Sequence, residues 1–316
     1  TPRPDRHFDV VLMSDFRLPG GTTSSNLQEI VAQRNAGLRT GLIHHPVAAW
    51  ALSRGVNPKI MAAVDNDLVR FVAPDERVTC DLLIARLPKM GEHPMSVFPT
   101  VEAAQRIVVL NQTPNRYYGV EVDDNIAWDV GRCADGFTRL LGEHSWYPIS
   151  PRVREAMVQH HTLDMCGIPL ADEDWTEIID LHTWRRDGRR TPDGRVLLGR
   201  HSRDQRDKWP SDPTTLACLH PELAAWENHV LGGATNARKV LGRLPENWTV
   251  HPFDAMDVRD FLHGVDVYVY FTGEGMLEAF GRAPLEAIAV GVPTLLPSSF
   301  APVFGDAALY TTPAGV

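Results

Sequence analysis

The chain has 316 residues, of which 43% are hydrophobic and 22% charged, and its formal net charge is −9. This length is long for one core and suits two ordinary globular domains. The negative charge argues against a nucleic-acid partner held by general electrostatic attraction. No stretch approaches the roughly 20 apolar residues of a membrane span, so no transmembrane segment is expected.

Cysteine usage and the chain ends give two further expectations. The four cysteines lack metal-type spacing, and we expect reduced thiols in a cytoplasmic protein. The chain starts at Thr1 without methionine and stops at TTPAGV, directly after a predicted strand. We therefore expect a fragment of a longer protein, truncated at its C-terminal end.

Short apolar runs bounded by turn residues predict strands along the first half of the chain. They are FDVVLMSDF (8–16), RTGLIHHP (39–46), CDLLIARLP (80–88) and AAQRIVVLNQTP (103–114). A glycine-rich turn signal, LPGGTTSSN, follows the first of them. Strands that alternate with helices predict βαβ units, and hence a parallel sheet covered on both faces.

Two helices are predicted between these strands and after them. Residues 26–37 have side chains at helical spacing and a glycine stop at Gly37. The residues at this spacing are Leu27, Ile30, Val31 and Arg34. The segment WYPISPRVREAMVQH predicts strand, turn and helix, with Ser150 and Pro151 at the start of the helix.

A change in composition predicts the domain organisation. Residues 171–194 are charged, turn-rich and weakly periodic, which indicates a connection between a first domain, 1–170, and a second, 195–316. In the second domain RVLLGRHS, VDVYVYFTG and PTLLPSS predict strands, and HVLGGATNARKVLG predicts a strand, turn and helix. Both domains are thus predicted to be doubly wound α/β units, with ligands beyond the carboxyl ends of the strands.

The stretch EAFGRAPLEAIAVGVP, residues 278–293, combines a predicted helix with a possible anion site. Pro284 suits the first helical turn and Gly291 the helix stop. The apolar stripe expected to pack on the sheet is Leu285, Ile288, Ala289 and Val292. Around Phe280 and Gly281, at the helix entrance, backbone N–H groups without partners favour phosphate.

Two glutamates flank this entrance. Glu286 is predicted within the first turn, where its carboxylate can accept two hydrogen bonds from a ribose diol, and Glu278 lies in the loop before the helix. Alternatively, Glu286 only complements the helix dipole and Glu278 is solvated. The loop in LLGRHSRDQRDKWP carries cations that could neutralise a diphosphate, or it is an ordinary charged surface loop. These cations are Arg200, Arg203, Arg206 and Lys208.

Together these stretches resemble GT-B-fold glycosyltransferases of the retaining class called family four, or "glycosyl transferases group 1". Glu278 and Glu286 form the E-x7-E arrangement of that family, and LEAIAVGVPTLLP resembles its lEAmAcGtPvv. VLLGRHS…K resembles its vGRl…K phosphate-binding stretch. The match in the first half is looser, where PGGTTSSNLQEIVAQRNAGLRTGLI resembles the glycine-rich acceptor-side loop and first helix. The resemblance implies two Rossmann-like doubly wound domains, without the usual C-terminal helices.

The resemblance implies a role for each candidate site residue. Glu286 would hold the nucleotide ribose, Glu278 the donor-sugar hydroxyls, and the amides around Phe280 and Gly281 the sugar or diphosphate. Arg200 and Lys208 would neutralise the leaving diphosphate, with Arg203 or Arg206 as substitutes. Glu278, Arg200 and Lys208 are thus the predicted catalytic set.

In the first domain, the resemblance implies that Gly20 and Gly21 approach the phosphate or the acceptor across the cleft. Many relatives carry a histidine near the donor sugar after a strand of this domain. The corresponding place here has Asn111 and Gln112, which offer hydrogen bonds but no titratable group. Three histidines are best placed to take the role of that histidine: His44, His45 and His144. Alternatively, their roles are only structural.

The activity implied is that of a retaining hexosyltransferase. A UDP-sugar or GDP-sugar would be the donor and co-substrate, and the acceptor a sugar, a lipid-linked or a small molecule. We expect no other cofactor and no metal, because arginine and lysine would neutralise the diphosphate. The alternative is a non-catalytic GT-B-like binding module. An epimerase or phosphorylase ranks lower, and a dehydrogenase lacks the G-x-G-x-x-G turn after the first strand.

Overall fold

The computed structural model describes residues 6–50, 53–188 and 194–316. Residues 1–5 of the predicted first domain and 189–193 of the predicted connection lie outside the described residues. The chain divides into two compact units, Thr1–Ile178 and Ile179–Val316, and the division falls inside the predicted connection. Within the described ranges, no helix combines the length and apolarity needed to cross a membrane.

Unit 1 is built on a six-stranded sheet whose neighbouring strands all pair in parallel, in the order β3-β2-β1-β4-β5-β6. Its helices and strands are β1 (Arg6–Ser14), α1 (Gly21–Asn35), β2 (Thr40–His44), α2 (Pro58–Met61), β3 (Val69–Phe71), β4 (Arg77–Arg86), β5 (Thr100–Leu110), α3 (Val130–Leu141), β6 (Ser145–Pro148) and α4 (Pro151–His160).

The central strands of unit 1 carry the apolar runs on which the strand predictions rest. Val11 and Leu12 of β1 and Ile84 of β4 are fully buried. A strand covered on both faces is apolar on both, which explains the continuous run in place of an alternating one. All four strands predicted from these runs are confirmed, with ends shifted by up to four residues.

Helix α1 differs from its prediction in both its start and its buried face. It begins at Gly21, not at residue 26, directly after Gly20, whose φ is 77°. Of the predicted stripe only Ile30 is buried, and the other buried residues of the helix are Thr23, Ser25, Asn26, Glu29 and Gln33. These polar side chains are buried because unit 1 supplies partners: Arg86 of β4 contacts Glu29, and Thr40 of β2 donates to Gln33 over 2.9 Å.

Helix α4 begins as predicted, whereas α3 was not predicted. The Ser150 hydroxyl accepts a hydrogen bond from the Val153 amide over 3.3 Å, and Pro151 occupies the first turn of α4. Helix α3 has its own sequence signals, because Asp129 caps its first turn and Gly142 ends it with a φ of 75°. These are ordinary start and stop residues for a helix.

Unit 2 has a second six-stranded sheet, also parallel at every pairing, in the order β12-β11-β10-β7-β8-β9. Its helices and strands are α5 (Leu181–Trp184), β7 (Val196–His201), α6 (Pro213–Leu219), β8 (Trp226–Leu231), α7 (Thr235–Leu241), β9 (Trp248–His251), α8 (Val258–His263), β10 (Val267–Val269), α9 (Arg282–Val290), β11 (Thr294–Leu296), α10 (Ala301–Phe304) and β12 (Leu309–Tyr310).

Helix α9 forms where it was predicted, between Gly281 and Gly291, but it buries a different face. Its buried residues are Pro284, Glu286, Ala287, Ala289 and Val290. Of the predicted stripe, Ala289 and Val292 are buried, the latter just beyond the helix end, whereas Leu285 and Ile288 are only half-buried. Glu286 is the fifth helical residue and therefore lies just past the first turn. The buried face of α9 differs from the predicted apolar stripe because Glu286 has polar partners in unit 2, described below.

The strand order of each sheet reverses direction once, and this reversal locates the expected ligand site. Along the chain, unit 2 adds β8 and β9 on one side of β7 and then β10, β11 and β12 on the other. Loops beyond the carboxyl ends of neighbouring strands at such a reversal diverge and leave a crevice. In unit 2 the loops concerned follow β7 and β10; in unit 1 they follow β1 and β4.

Candidate functional site

The two loops at the strand reversal of unit 2 contact each other through a lysine–glutamate pair. Lys208, in the loop after β7, places its Nζ 2.6 Å from Oε2 of Glu278, in the loop after β10. The Tyr270 hydroxyl donates to the same carboxylate oxygen over 2.8 Å. Burial raises the pKa of Tyr270, which keeps the phenol a donor. Two of the three predicted catalytic residues, Lys208 and Glu278, thus meet, and each neutralises the other.

Arg200 lies beneath this pair instead of beside it. Its guanidinium is stacked between the rings of Trp209 and Tyr270, 4.4 and 4.7 Å from their centroids, and the residue is 1% exposed. Its Nη2 donates to the backbone carbonyl of Lys208. Burial lowers the pKa of Arg200. The observed contacts therefore make Arg200 a support for the Lys208 loop, and the diphosphate contact expected from the sequence is not prepared in this arrangement.

The two substitute cations lie at the surface of the same loop. Arg203 and Arg206 are exposed, and Arg206 begins a short 3₁₀ turn, Arg206–Lys208. Long, exposed arginine side chains can follow an anionic ligand without breaking buried contacts. The structure thus separates the four predicted cations into one buried support, one ion-paired lysine and two accessible arginines.

Glu286 is held by two side chains that the sequence interpretation missed. His201, the last residue of β7, places Nε2 2.9 Å from Oε2 of Glu286, and Arg282 donates from Nε to Oε1 over 3.1 Å. Glu286 itself is 5% exposed. Arg282 precedes Glu286 by four residues on one helix, a spacing that could have identified it. His201 could have been noted as a polar residue at the carboxyl end of a buried strand.

The helix entrance predicted as an anion site is built on Gly281. This residue caps α9 with φ 97°, a left-handed backbone that disfavours other residues, and an added Cβ would lie 2.8 Å from Cε1 of Phe300. Phe280 is buried edge-on against Phe304, with ring centroids 5.7 Å apart. The first N–H groups of a helix have no acceptor within it, so this packing fixes the direction in which α9 presents them.

Asp204 fastens the loop after β7 to the start of α7, and the sequence interpretation missed it as well. Its carboxylate accepts from the Thr235 amide over 2.6 Å, from the Asn236 amide over 3.1 Å and from Trp209 Nε1 over 3.2 Å. Burial alone would raise the pKa of Asp204, but the hydrogen bonds from Asn236 and Thr235 outweigh it and lower the pKa. These contacts anchor the loop that carries Lys208 to the start of α7.

We expect Asp204→Asn to destabilise unit 2 by about 1–3 kcal/mol, because an amide cannot accept these hydrogen bonds as an anion does. The carboxylate pKa is lower in the folded state than its ordinary 3.8. Its stabilisation is therefore present above pH 3.8 and is lost as the pH falls through the folded value. Urea unfolding between pH 2 and 7 should show this pH dependence weakened in Asp204→Asn. An unchanged pH profile would contradict the assignment.

In unit 1, the three predicted residues lie at the carboxyl edge of the sheet, Gly20 and Asn111 in loops and Gly21 at the first position of α1. Gly20 and Gly21 follow β1 and begin α1, with Gly21 exposed. Asn111 directly follows β5, and its buried Oδ1 has no hydrogen-bond partner. This edge is where ligands of parallel sheets bind, and an unused buried acceptor is uncommon in folded proteins.

The three candidate histidines have partners that favour structural roles. His44 Nδ1 accepts from the Phe16 amide over 3.3 Å, His45 Nε2 donates to the His93 carbonyl over 2.6 Å, and His144 Nδ1 donates to the Gly142 carbonyl over 2.8 Å. Burial is the largest cause that lowers the pKa of all three, which keeps their rings neutral at pH 7. His45 and His144 already use their ring N–H as donors, and a neutral ring in that state is a poor general acid.

Comparisons with known proteins bear on the fold. No protein-family model and no curated protein sequence matches the chain. The crystal structure of Anabaena Alr3699/HepE in complex with UDP and glucose is similar with a TM-score of 0.56 at 12% identity, over 92% of this chain and 80% of that one. A glycosyltransferase from Rickettsia africae ESF-5 gives a TM-score of 0.52 at 11% identity, over 93% and 79%.

These similarities, together with the two parallel sheets, show that the chain has the GT-B fold of two-domain α/β glycosyltransferases. The predicted fold class is thereby confirmed. At this level of identity the similarity shows the fold alone, because one fold supports many activities. The activity has to be argued from the site of this chain.

Proposed function

We propose that the protein is a retaining hexosyltransferase that uses a nucleoside-diphosphate sugar as donor. The observation that carries the proposal is that two contacts join the segments after β7 and β10 at the strand reversal of unit 2: Lys208 contacts Glu278, and His201, at the end of β7, contacts Glu286. One cation for phosphate, one carboxylate for sugar hydroxyls and one for a ribose diol are the groups that such a donor requires. An NAD-type or metal-type ligand would call for different residues.

The donor would bind by exchange of partners. Its diphosphate would take Lys208 from Glu278, with Arg203 and Arg206 free to approach from the loop surface and the α9 N–H groups at Gly281 from the other side. The released Glu278 carboxylate would then accept hydrogen bonds from donor-sugar hydroxyls. The exchange conserves charge pairing, since the lysine charge is compensated before and after.

The chemistry follows from this placement of charge. As the bond between the anomeric carbon and the phosphate oxygen breaks, negative charge grows on the diphosphate, and Lys208 with the α9 amides stabilises it. The acceptor hydroxyl attacks from the same face, and its proton passes to the leaving phosphate oxygen. This front-face route gives retention of configuration without a protein nucleophile, and without a metal or another cofactor.

The acceptor would bind in unit 1, beside the α1 entrance at Gly20 and Gly21. Asn111 would donate or accept a hydrogen bond there, since its buried Oδ1 has no partner in the structure. The chemistry of this edge suits a hydroxyl-bearing acceptor: a sugar, a lipid-linked sugar or a small molecule. The likeness to a HepE structure that contains UDP-glucose supports UDP-sugars as the first donors to test.

Calorimetric titration with UDP, GDP, ADP and dTDP tests the donor site. We expect one of the ribose nucleotides to bind, and dTDP, which lacks the 2′-hydroxyl, to bind more weakly. Glu286→Ala should lower the affinity for the preferred nucleotide by roughly ten- to a hundredfold, which corresponds to the loss of hydrogen bonds to a carboxylate. Glu246→Ala, at an exposed glutamate of the same unit, should have no effect. Absence of binding by the folded protein would refute the donor site.

The second candidate, a non-catalytic GT-B-like binding module, is favoured by one observation. Arg200 is buried and Lys208 is ion-paired. Among the described residues of this loop, only the two exposed arginines are therefore available as cations for catalysis. The two candidates differ in turnover. Nucleotide binding with no transfer and no slow hydrolysis of the matching nucleotide sugar would favour the module.

A further inference from the structure

His201 occupies a buried position from which it can act only through Glu286. Its side chain and that of Glu286 are 8% and 6% exposed, and 2.9 Å separate Nε2 from Oε2. The ring packs against Tyr268, with centroids 5.3 Å apart, and against Phe261, 6.3 Å apart. The two residues are 85 positions apart in sequence, so the sheet brings them together and local helix geometry does not.

The hydrogen bonds around the ring settle which nitrogen carries the proton. Nδ1 is buried and has no hydrogen-bond partner, whereas Nε2 faces a carboxylate oxygen, which can only accept when ionised. The ring therefore carries its proton on Nε2 and donates it to Glu286. The Tyr268 hydroxyl donates to the His201 carbonyl over 3.2 Å and accepts from the His201 amide over 3.4 Å, which fixes the backbone from which the ring projects.

The Glu286 carboxylate is thus held by one donor on each oxygen. His201 occupies Oε2 from the strand side, and Arg282 occupies Oε1 from the helix side. An ionised carboxylate has about four acceptor sites, so both oxygens can still accept a further hydrogen bond. With one donor on each side the carboxylate plane cannot rotate freely, and its two remaining acceptor sites keep a fixed spacing.

We propose that His201 is a positioning residue that orients Glu286 for a vicinal diol, and thereby makes the site selective for ribose-containing nucleotides. This inference rests on the proposed function and adds to it a residue that determines specificity. A diol donates two hydrogen bonds in a set geometry, and a carboxylate already fixed in that geometry loses less rotational freedom on binding. His201 would then raise the affinity only of ligands that have both hydroxyls.

The test measures the binding affinity of four proteins for UDP, GDP and ADP, and for the 2′,3′-dideoxy form of each nucleotide. The proteins are the unchanged chain, His201→Phe, His201→Asn and His201→Gln. Phenylalanine keeps the ring without a donor, the asparagine amide is too short to reach Oε2, and the glutamine amide takes the place of Nε2. Thermal unfolding of each variant verifies that it is folded.

We expect His201→Phe and His201→Asn to lower the affinity for the preferred nucleotide about tenfold, which corresponds to one hydrogen bond to a charged group. The affinity for its dideoxy form should stay unchanged, and His201→Gln should retain most of the affinity for the diol form. In a Glu286→Ala background, His201→Phe should have no further effect. A role in packing alone would weaken both ligand forms equally.

Two results would overturn the inference, and they are distinguishable. In the first, a nucleotide binds the unchanged chain, but the His201 variants lower the affinity for both ligand forms equally, or lower it further in the Glu286→Ala background. Either finding would mean that His201 does not act through Glu286. If none of the three nucleotides binds the folded, unchanged chain, the proposed function fails and the positioning role fails with it.

Discussion

Replacing Lys208 by methionine should lower the rate of sugar transfer by about a hundred- to a thousandfold, the usual cost of removing one group that stabilises transition-state charge. Methionine keeps the length of the side chain, so loop packing should change little. The substitution also removes the Lys208 ammonium from Glu278, to which the Tyr270 hydroxyl still donates. Steady-state kinetics with the nucleotide sugar identified by titration would measure kcat and KM separately.

The matched control for this prediction is Lys239→Met, at an exposed lysine of α7 in the same unit. Its rate should remain within about threefold of the unchanged chain. An equal loss in both variants would mean that the diphosphate meets a diffuse cationic surface. A Lys208→Met enzyme of nearly normal kcat would exclude Lys208 from the transition state.

In unit 1, Arg86→Met should destabilise the fold by about 3–5 kcal/mol, because it removes a buried cation that pairs with two buried carboxylates. Arg86 donates to Glu29 of α1 and, over 3.0 Å, to Glu177, and all three side chains are at most 4% exposed. The Ser25 hydroxyl also donates to Glu177 over 2.7 Å. Without Arg86, both carboxylates would stay buried and lose the cation that now pairs with them.

Urea unfolding, with hydrogen exchange of the β1 and β4 amides to localise the effect to unit 1, would measure this loss. Arg39→Met is the control, because Arg39 is 51% exposed and 3.7 Å from Asp9, and surface pairs contribute about 0–1 kcal/mol. A loss for Arg86→Met no larger than that for Arg39→Met would show that the buried charges relax or take up water.

The same network predicts a pH dependence with a definite sign. Burial, and then the nearby Glu177, raise the pKa of Glu29, while Arg86 opposes the change without reversing it. A carboxyl with a raised folded pKa contributes most below its ordinary value of 4.5, and this contribution is lost as the pH rises through the folded value. Glu29→Gln should therefore become relatively more stable than the unchanged chain as the pH increases above 4.5.

The predicted elements and the observed ones agree where the pattern is local and continuous. β1 and β4 were predicted from apolar runs, and the Gly281 and Gly291 boundaries of α9 from glycine at the helix ends. Helix faces were predicted less well, because α1 and α9 bury polar side chains that an apolar-stripe argument assigns to solvent. Glu29 is buried because Arg86, distant in sequence, neutralises it, and Glu286 because the distant His201 and the nearby Arg282 donate hydrogen bonds to it.

The candidate site shows the same division. Glu278, Glu286 and Lys208 were identified from their spacing and from the resemblance, and the structure brings Lys208 to Glu278 across 70 positions of sequence. His201, Asp204 and Tyr270 were missed, since each is an ordinary residue until its partner is known. Arg200 was expected at the ligand, whereas stacking on Trp209 and Tyr270 places it beneath the loop.

By itself the amino-acid sequence determined the α/β class, the parallel sheets and the segment that carries the paired glutamates, because apolar runs, glycines and prolines act on their immediate neighbours in the chain. Only the tertiary structure decided which charges are buried, paired or accessible. Those states depend on strand order, which brings His201 to Glu286 and Arg86 to Glu177 over 85 and 91 positions. A charge that would be solvated in an isolated segment becomes a fixed acceptor once such a partner shields it from water.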